Sequence, residues 1–184
     1  ENNVGCYVKT NLKNITHEEI QEIKKLLNKH SVLFFKEQHL NPQEYIRFAS
    51  NFGKPAEYPM LKPHKDFKDI YVIERKKSDK GIGFGIGAHT DSSYMSNPPR
   101  FTFLQAIQVP EEGKGNTLFY NQFLAYEALP NEIKNKIENL KGVFSSQGKI
   151  ARTRVQREVE HGTSNTKEIR SEHKLVQTID GRKA

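Results

Sequence analysis

Residues 101–121 read FTFLQAIQVPEEGKGNTLFYN, and the fold class turns on this stretch. Phe101–Val109 is rich in aromatic and β-branched residues, as a long strand is. Pro110–Asn116 carries turn residues, and Thr117–Asn121 is a second strand. Working outward, Asp69–Glu74 (DIYVIE) and Val143–Ser145 are further strands. Leu175, Val176 and Ile179 point to one more, and Val4–Lys9 and Ser31–Phe35 are short strands near the start. No internal repeat is visible.

Helices frame these strands. Thr16-His17-Glu18-Glu19 is a capping box: Thr16 can accept from the N3 amide while Glu19 reaches back to the cap. Ile20, Ile23 and Leu27 then recur on one helical face to about Lys29. Asn41-Pro42-Gln43-Glu44 opens a second helix, with an N-cap followed by proline. Its inner stripe is Tyr45, Phe48, Ala49 and Phe52, and Gly53 stops it. Pro130–Leu140 is a third, with Ile133, Ile137 and Leu140 expected inward. Two early helices followed mainly by strands give an α+β, β-rich class, a sandwich or barrel covered by helices on one side.

The chain has 184 residues, 35% of them hydrophobic and 10% aromatic. That is enough for one core, and the aromatics argue against wholesale disorder. No apolar run is long enough to span a membrane, so no membrane partner is expected. The single cysteine, Cys6, excludes an internal disulfide framework and a Cys-rich zinc site. A reducing, cytoplasmic location is the expectation. The net charge is +7, of which residues 145–184 hold +4. Most of the positive charge is lysine scattered among Asn and Glu. No aromatics interleave with Lys149–Arg157, as a stacking platform for single strands would need. No nucleic-acid partner is expected. Residues 146–171 are polar and aperiodic, which reads as a lid or a disordered insert.

Near the end, Leu175–Gly181 runs into Asp180-Gly181, a strong hairpin signal. Only three residues follow, so the return strand is expected to be missing and the sequence to be the N-terminal part of a longer domain.

His89-Thr90-Asp91 carries the chemistry. In an extended segment these side chains at i and i+2 project from one face. An imidazole nitrogen and a carboxylate oxygen then offer two ligands to one metal ion. With a second histidine they complete the 2-His-1-carboxylate triad of non-haem Fe(II) oxygenases, which leaves positions open for a bidentate co-substrate and O2. An H-x-D alone is a weak signal, since surface pairs and N-caps share it. Its setting strengthens it: a Gly-rich GIGFGIG segment precedes it and SSYMSNPPR follows.

In that setting the sequence resembles the taurine dioxygenase and 2,4-dichlorophenoxyacetate dioxygenase family of Fe(II)/2-oxoglutarate enzymes. The early segment NITHEEIQEIKKLLNKHSVLFFKEQHLNPQEYIRFASNFGKP is similar to the family's opening strand, helix and second strand. HTDSSYMSNPPRFTFLQAIQVPEEGKGNTLFYNQFLAYEALP resembles its metal-binding core, and HKLVQTIDGRKA its later strand and turn. The resemblance implies a double-stranded β-helix (jelly roll) with flanking helices, incomplete at the C-terminus, and one dioxygenase domain over residues 1–184. It implies Fe(II), 2-oxoglutarate as co-substrate, and O2. His89 and Asp91 match the proximal iron ligands, and Thr117 matches the threonine whose hydroxyl meets a carboxylate of 2-oxoglutarate. The family's distal His and its 2-oxoglutarate-binding Arg match nothing up to Ala184. His161, His173, His17, His30, His39 and His64 are not expected to replace that ligand.

The implied reaction is hydroxylation of a small, anionic organic substrate with release of succinate and CO2. Related halogenases carry a small residue at the carboxylate position, so Asp91 favours hydroxylation. Tyr58 and Leu61 stand where the taurine enzyme has a substrate-binding His and Tyr, and Gly85 stands where it has an Asn. The sulfonate contacts are not reproduced, so the substrate is expected to differ. Tyr58, Leu61 and Gly85 are candidates for the pocket wall, and a basic lid over 146–171 would suit an anionic substrate. A homo-oligomer is the expected assembly. The alternative is a catalytically incomplete family member acting as a binding or assembly module.

Overall fold

A computed structural model describes residues 4–58, 61–79, 85, 87–147 and 167–184. Its elements follow in chain order. They are β1 (Cys6–Tyr7), α1 (His17–His30), β2 (Leu33–Phe34), α2 (Pro42–Ser50), α3 (Gln122–Glu127) and α4 (Asn131–Ile137). Then come β3 (Lys141–Ser145), β4 (Arg170–Lys174), β5 (Thr178–Ile179) and β6 (Arg182–Lys183). The described residues divide into two units. The first is built from 1–51, 103–140 and 174–184, the second from 52–102 and 141–173.

In the first unit, β1 and β2 pair in parallel with Cys6 opposite Leu33 and Tyr7 opposite Phe34. A parallel pair needs a crossover, and α1 supplies it. Both predicted capping boxes form. Thr16 accepts from the Glu19 amide while Glu19 accepts from the Thr16 amide; Asn41 and Glu44 do the same for α2. These bonds hold the carboxyls of Glu19 and Glu44 below their usual range. Ile20, Ile23 and Phe48 are buried on the inner faces, with Leu12 and Leu40 beside them in the core. Phe48 meets Phe35 and Phe103 edge-on, each at 5.9 Å between ring centres.

The strands expected at 101–109 and 117–121 do not form a ladder among the described residues. Phe101, Phe103 and Gln105 are half-buried and alternate with exposed neighbours, so the period-2 pattern survives. The opposite face stays bare: Leu104 is 77% exposed and Ile107 is 87% exposed. Strand propensity supplied the pattern, but a ladder needs a partner strand. Residues 69–74 likewise give only a single bridge, Pro63 to Tyr71. The inward stripe expected for the third helix is also corrected. α4 ends at Ile137, and Ile133 and Leu140 are exposed.

The hairpin corrects another expectation. Its return strand is present: β5 and β6 pair antiparallel, Ile179 opposite Arg182, and Gln177 and Ala184 exchange backbone bonds of 2.8 and 2.9 Å. Asp180 and Gly181 lie at φ +49° and +80°, both positive as a type I′ turn requires. Arg182 pairs with Glu127 at 2.8 Å, and Lys183 with Glu138 at 2.6 Å, which anchors the hairpin beside α3 and α4.

In the second unit, β3 and β4 form a two-stranded sheet. The Ser146 amide donates to Ile169 O at 2.9 Å, and the Ile169 amide donates to Ser146 Oγ at 3.0 Å. Arg170 and Ser171, expected inside the polar insert, therefore belong to a strand. Residues 148–166, the greater part of the expected lid, lie outside the described residues.

Candidate metal centre

Of the Gly-rich lead-in to His89, Gly85 and Gly87 lie among the described residues. Gly85 sits at φ +72°, a conformation that favours glycine. A Cβ there would meet His89 Cε1 at 3.7 Å, an ordinary contact, so the backbone rather than space selects glycine. Residues 89 and 90 lie in no strand, and Asp91 opens a turn that runs to Tyr94. The turn is closed by the Met95 amide donating to Ser92 O at 2.9 Å, with Ser92 itself left-handed at φ +53°.

His89 and Asp91 nonetheless face each other. His89 Nε2 lies 3.2 Å from Asp91 Oδ1, with the side chains 41% and 50% exposed. Two donor atoms bound at right angles to a metal at about 2.1 Å sit about 3.0 Å apart. The pair therefore matches two neighbouring positions on one ion. The remaining ring and carboxylate atoms are held from behind. His89 Nδ1 donates to Gly87 O at 2.8 Å. A carbonyl only accepts, so Nδ1 carries a proton, and Nε2 is the ring atom that faces Asp91. Thr102 Oγ1 donates to Asp91 Oδ2 at 2.8 Å, which leaves Oδ1 for the ion. Among the described residues, no third His, Cys, Asp or Glu joins the pair.

Tyr94, which the sequence reading passed over, belongs to this neighbourhood. Burial pushes its phenol up to about 12, and the Tyr58 phenol and the Asp91 carboxylate act in the same direction. Tyr94 thus stands near both a metal-ligand candidate and a pocket-wall candidate. Its place three residues after Asp91 was the available signal. Tyr58 also donates its amide to the Tyr71 hydroxyl at 2.9 Å, and the two rings meet edge-on at 6.0 Å. Leu61 is buried, its amide bonded to Tyr58 O at 3.3 Å. Thr117 lies in the first unit, exposed.

Of the other histidines, His64 Nδ1 accepts from the Asp66 amide at 3.1 Å. His17 is exposed beside Gln21. His173 donates from Nε2 to Met95 O at 2.9 Å. His161 lies outside the described residues.

His89 and Asp91 face each other, each held from behind by a second residue, and Tyr94 lies close by. Residues 8–184 match the family described as "Taurine catabolism dioxygenase TauD, TfdA family", and the chain belongs to that family. An alkylsulfatase of Acinetobacter baylyi is 34% identical over 130 residues, 70% of this chain and 39% of its own length. The alpha-ketoglutarate-dependent 2,4-dichlorophenoxyacetate dioxygenase of Cupriavidus pinatubonensis is 30% identical over 138 residues, 67% of this chain and 48% of its own. The chain thus spans less than half the length of either relative. Among solved structures, AAD-2 in complex with Mn(II) and N-oxalylglycine shares the fold. Its TM-score is 0.65 at 24% identity, covering 98% of this chain and 64% of that one.

Proposed function

We propose that this chain belongs to a non-haem Fe(II)/2-oxoglutarate-dependent dioxygenase that hydroxylates a small, anionic organic substrate. In this reading residues 1–184 are part of one domain with a double-stranded β-helix fold. The observation that carries the proposal is the 3.2 Å separation of His89 Nε2 and Asp91 Oδ1, with both side chains oriented from behind. Family membership supports it, as do the names of the two relatives, one a sulfatase and one acting on an aryloxyacetate. The Mn(II) and the small dicarboxylic acid held by AAD-2 agree with such a centre.

The residues present fit Fe(II), since imidazole and carboxylate are its usual ligands in facial triads. His89 Nε2 and Asp91 Oδ1 would hold it. With 2-oxoglutarate and O2 bound, such a centre would supply the oxidant, one oxygen atom of O2 going to a substrate C–H bond and the other to succinate with release of CO2. The protein's part is placement. Gly87 O keeps His89 in the tautomer that can ligate, and Thr102 fixes the carboxylate plane. The Thr117 hydroxyl, by its match to the family's threonine, would donate to a carboxylate of 2-oxoglutarate. Tyr58, Leu61 and Gly85 form part of the wall that positions the substrate and excludes water. The lone cysteine accords with a reducing, cytoplasmic setting.

Anaerobic Fe(II) titration in the presence of 2-oxoglutarate tests the reading. A weak visible charge-transfer band is expected for the wild type, and its loss in His89→Ala and Asp91→Ala. Absence of the band from the wild type sinks the proposal. An undiminished band in His89→Ala removes the ligand assignment. Succinate release across a panel of sulfate esters, aryloxyacids, phosphonates and carboxylates then sorts substrates.

A further inference from the structure

We propose that Ser171 and His173 of β4 are positioning residues that clamp the metal arm from outside the metal site. The proposal rests on the reading of His89 and Asp91 as metal ligands. Ser171 Oγ donates to Tyr94 O, and His173 Nε2 donates to Met95 O, each at 2.9 Å. The two donors lie at i and i+2 on β4, which places them on one face of the strand. The two acceptors are the carbonyl of the turn's last residue, Tyr94, and that of Met95, which follows it. One strand face therefore grips two adjacent peptide groups, and it grips backbone rather than side chains.

Each partner is itself fixed. A carbonyl only accepts, so His173 must carry its proton on Nε2. The Phe144 ring, on the neighbouring strand β3, packs tilted against the imidazole at 5.6 Å and sets its plane. β4 is tied to β3 by sheet pairing and by the Ser146–Ile169 bonds.

The turn needs such a hold. Residues 91–97 form no helix or strand, and Ser92 is left-handed without being glycine, a strained state that persists only when its surroundings enforce it. Thr102 restrains the Asp91 carboxylate directly. The β4 clamp restrains the backbone three and four residues further on. If it is released, Ser92 can relax and Asp91 Oδ1 can drift from His89 Nε2. The prediction is a loss of preorganisation, felt as weaker metal binding with the ligands still present.

Mn(II) binding to the protein, followed by loss of the free-ion EPR signal, reads this without turnover. His173→Ala is expected to weaken Mn(II) affinity about tenfold, as outer-shell substitutions do. Ser171→Ala is expected to act in the same direction, and His173→Gln, which keeps a donor at that reach, to restore affinity. Amide hydrogen exchange of the metal-free protein supplies the second readout. The Met95 amide should exchange faster in His173→Ala and Ser171→Ala, with α1 unchanged. Wild-type Mn(II) affinity and wild-type Met95 exchange in both alanine variants, alongside lost binding in His89→Ala, would overturn the clamp and leave the metal reading standing. Unchanged Mn(II) binding in His89→Ala would instead overturn the metal reading, and the clamp's role with it. Should His173→Ala misfold, Ser171→Ala, a loss of one hydroxyl, decides the matter alone.

Discussion

Residues 16–51 and residues 103–121 lie in the same unit and are both rich in large apolar side chains, yet the fold treats them oppositely. In the first stretch Ile20, Ile23, Leu40 and Phe48 are buried; Phe48 is 5% exposed. In the second, Leu118 is 74% exposed, and Leu104, Ile107 and Val109 face outward with it. The difference is one of range. A helix satisfies its own backbone four residues away, and its caps lie in adjacent sequence. A strand satisfies its backbone only against another strand, so its apolar face and its hydrogen bonds both wait on a distant segment.

Four substitutions break or sharpen this contrast, each read by denaturant unfolding, and two more test the pH dependence of the caps. The largest effect is expected at Phe48→Ala, which empties the contacts with Phe35 and Phe103. A loss of about 3–5 kcal/mol follows from truncating a buried aromatic. Next comes Gly181→Val in the β5–β6 turn. At φ +80° a side chain costs about 1–2 kcal/mol, and the pairs Arg182–Glu127 and Lys183–Glu138 lose their alignment.

Thr16→Ala should cost about 1 kcal/mol by removing one cap. It also bears on pH. Amide hydrogen bonds hold Glu19 and Glu44 below the ordinary carboxylate value of 4.5. Their contribution is complete above that value and is lost as the pH falls through the lower folded values. The acid limb of a stability–pH curve should therefore flatten in Glu19→Gln and Glu44→Gln. An unchanged limb would show that the capping boxes do not form in solution.

The smallest effect is expected at Leu118→Ser, within about 0.5 kcal/mol, because an exposed side chain has little burial to lose. A loss as large as that of Phe48→Ala would mean that the bare face is covered in solution, and the contrast would fail.

Legibility in the sequence followed the same division. Thr16 and Asn41 announced their helices to within a residue, because capping is a matter of three neighbouring positions. Asp180-Gly181 announced the hairpin, although its return strand escaped notice because it is only Arg182–Lys183. The strands at 101–109 and 117–121 were read from propensity, which fixed their alternation but not their pairing. His89 and Asp91 were legible as a spacing. What holds them face to face was not: Gly87 O and Thr102 Oγ1 are a carbonyl and a common hydroxyl, with no signature of their own. Tyr94 was legible only as a phenol three residues after Asp91; the burial that pushes its pKa up to about 12 comes from the fold.

The amino-acid sequence by itself determined the capped helices, the turn glycines and the spacing of His89 and Asp91, since each depends on residues a few positions apart, and the family match rests on the sequence as well. The tertiary structure alone decided that His89 Nε2 faces Asp91 Oδ1, that Thr102 holds the carboxylate, and that β4 bonds the carbonyls of Tyr94 and Met95. Those contacts join residues up to 78 positions apart, and only packing selects which distant donor meets which carbonyl.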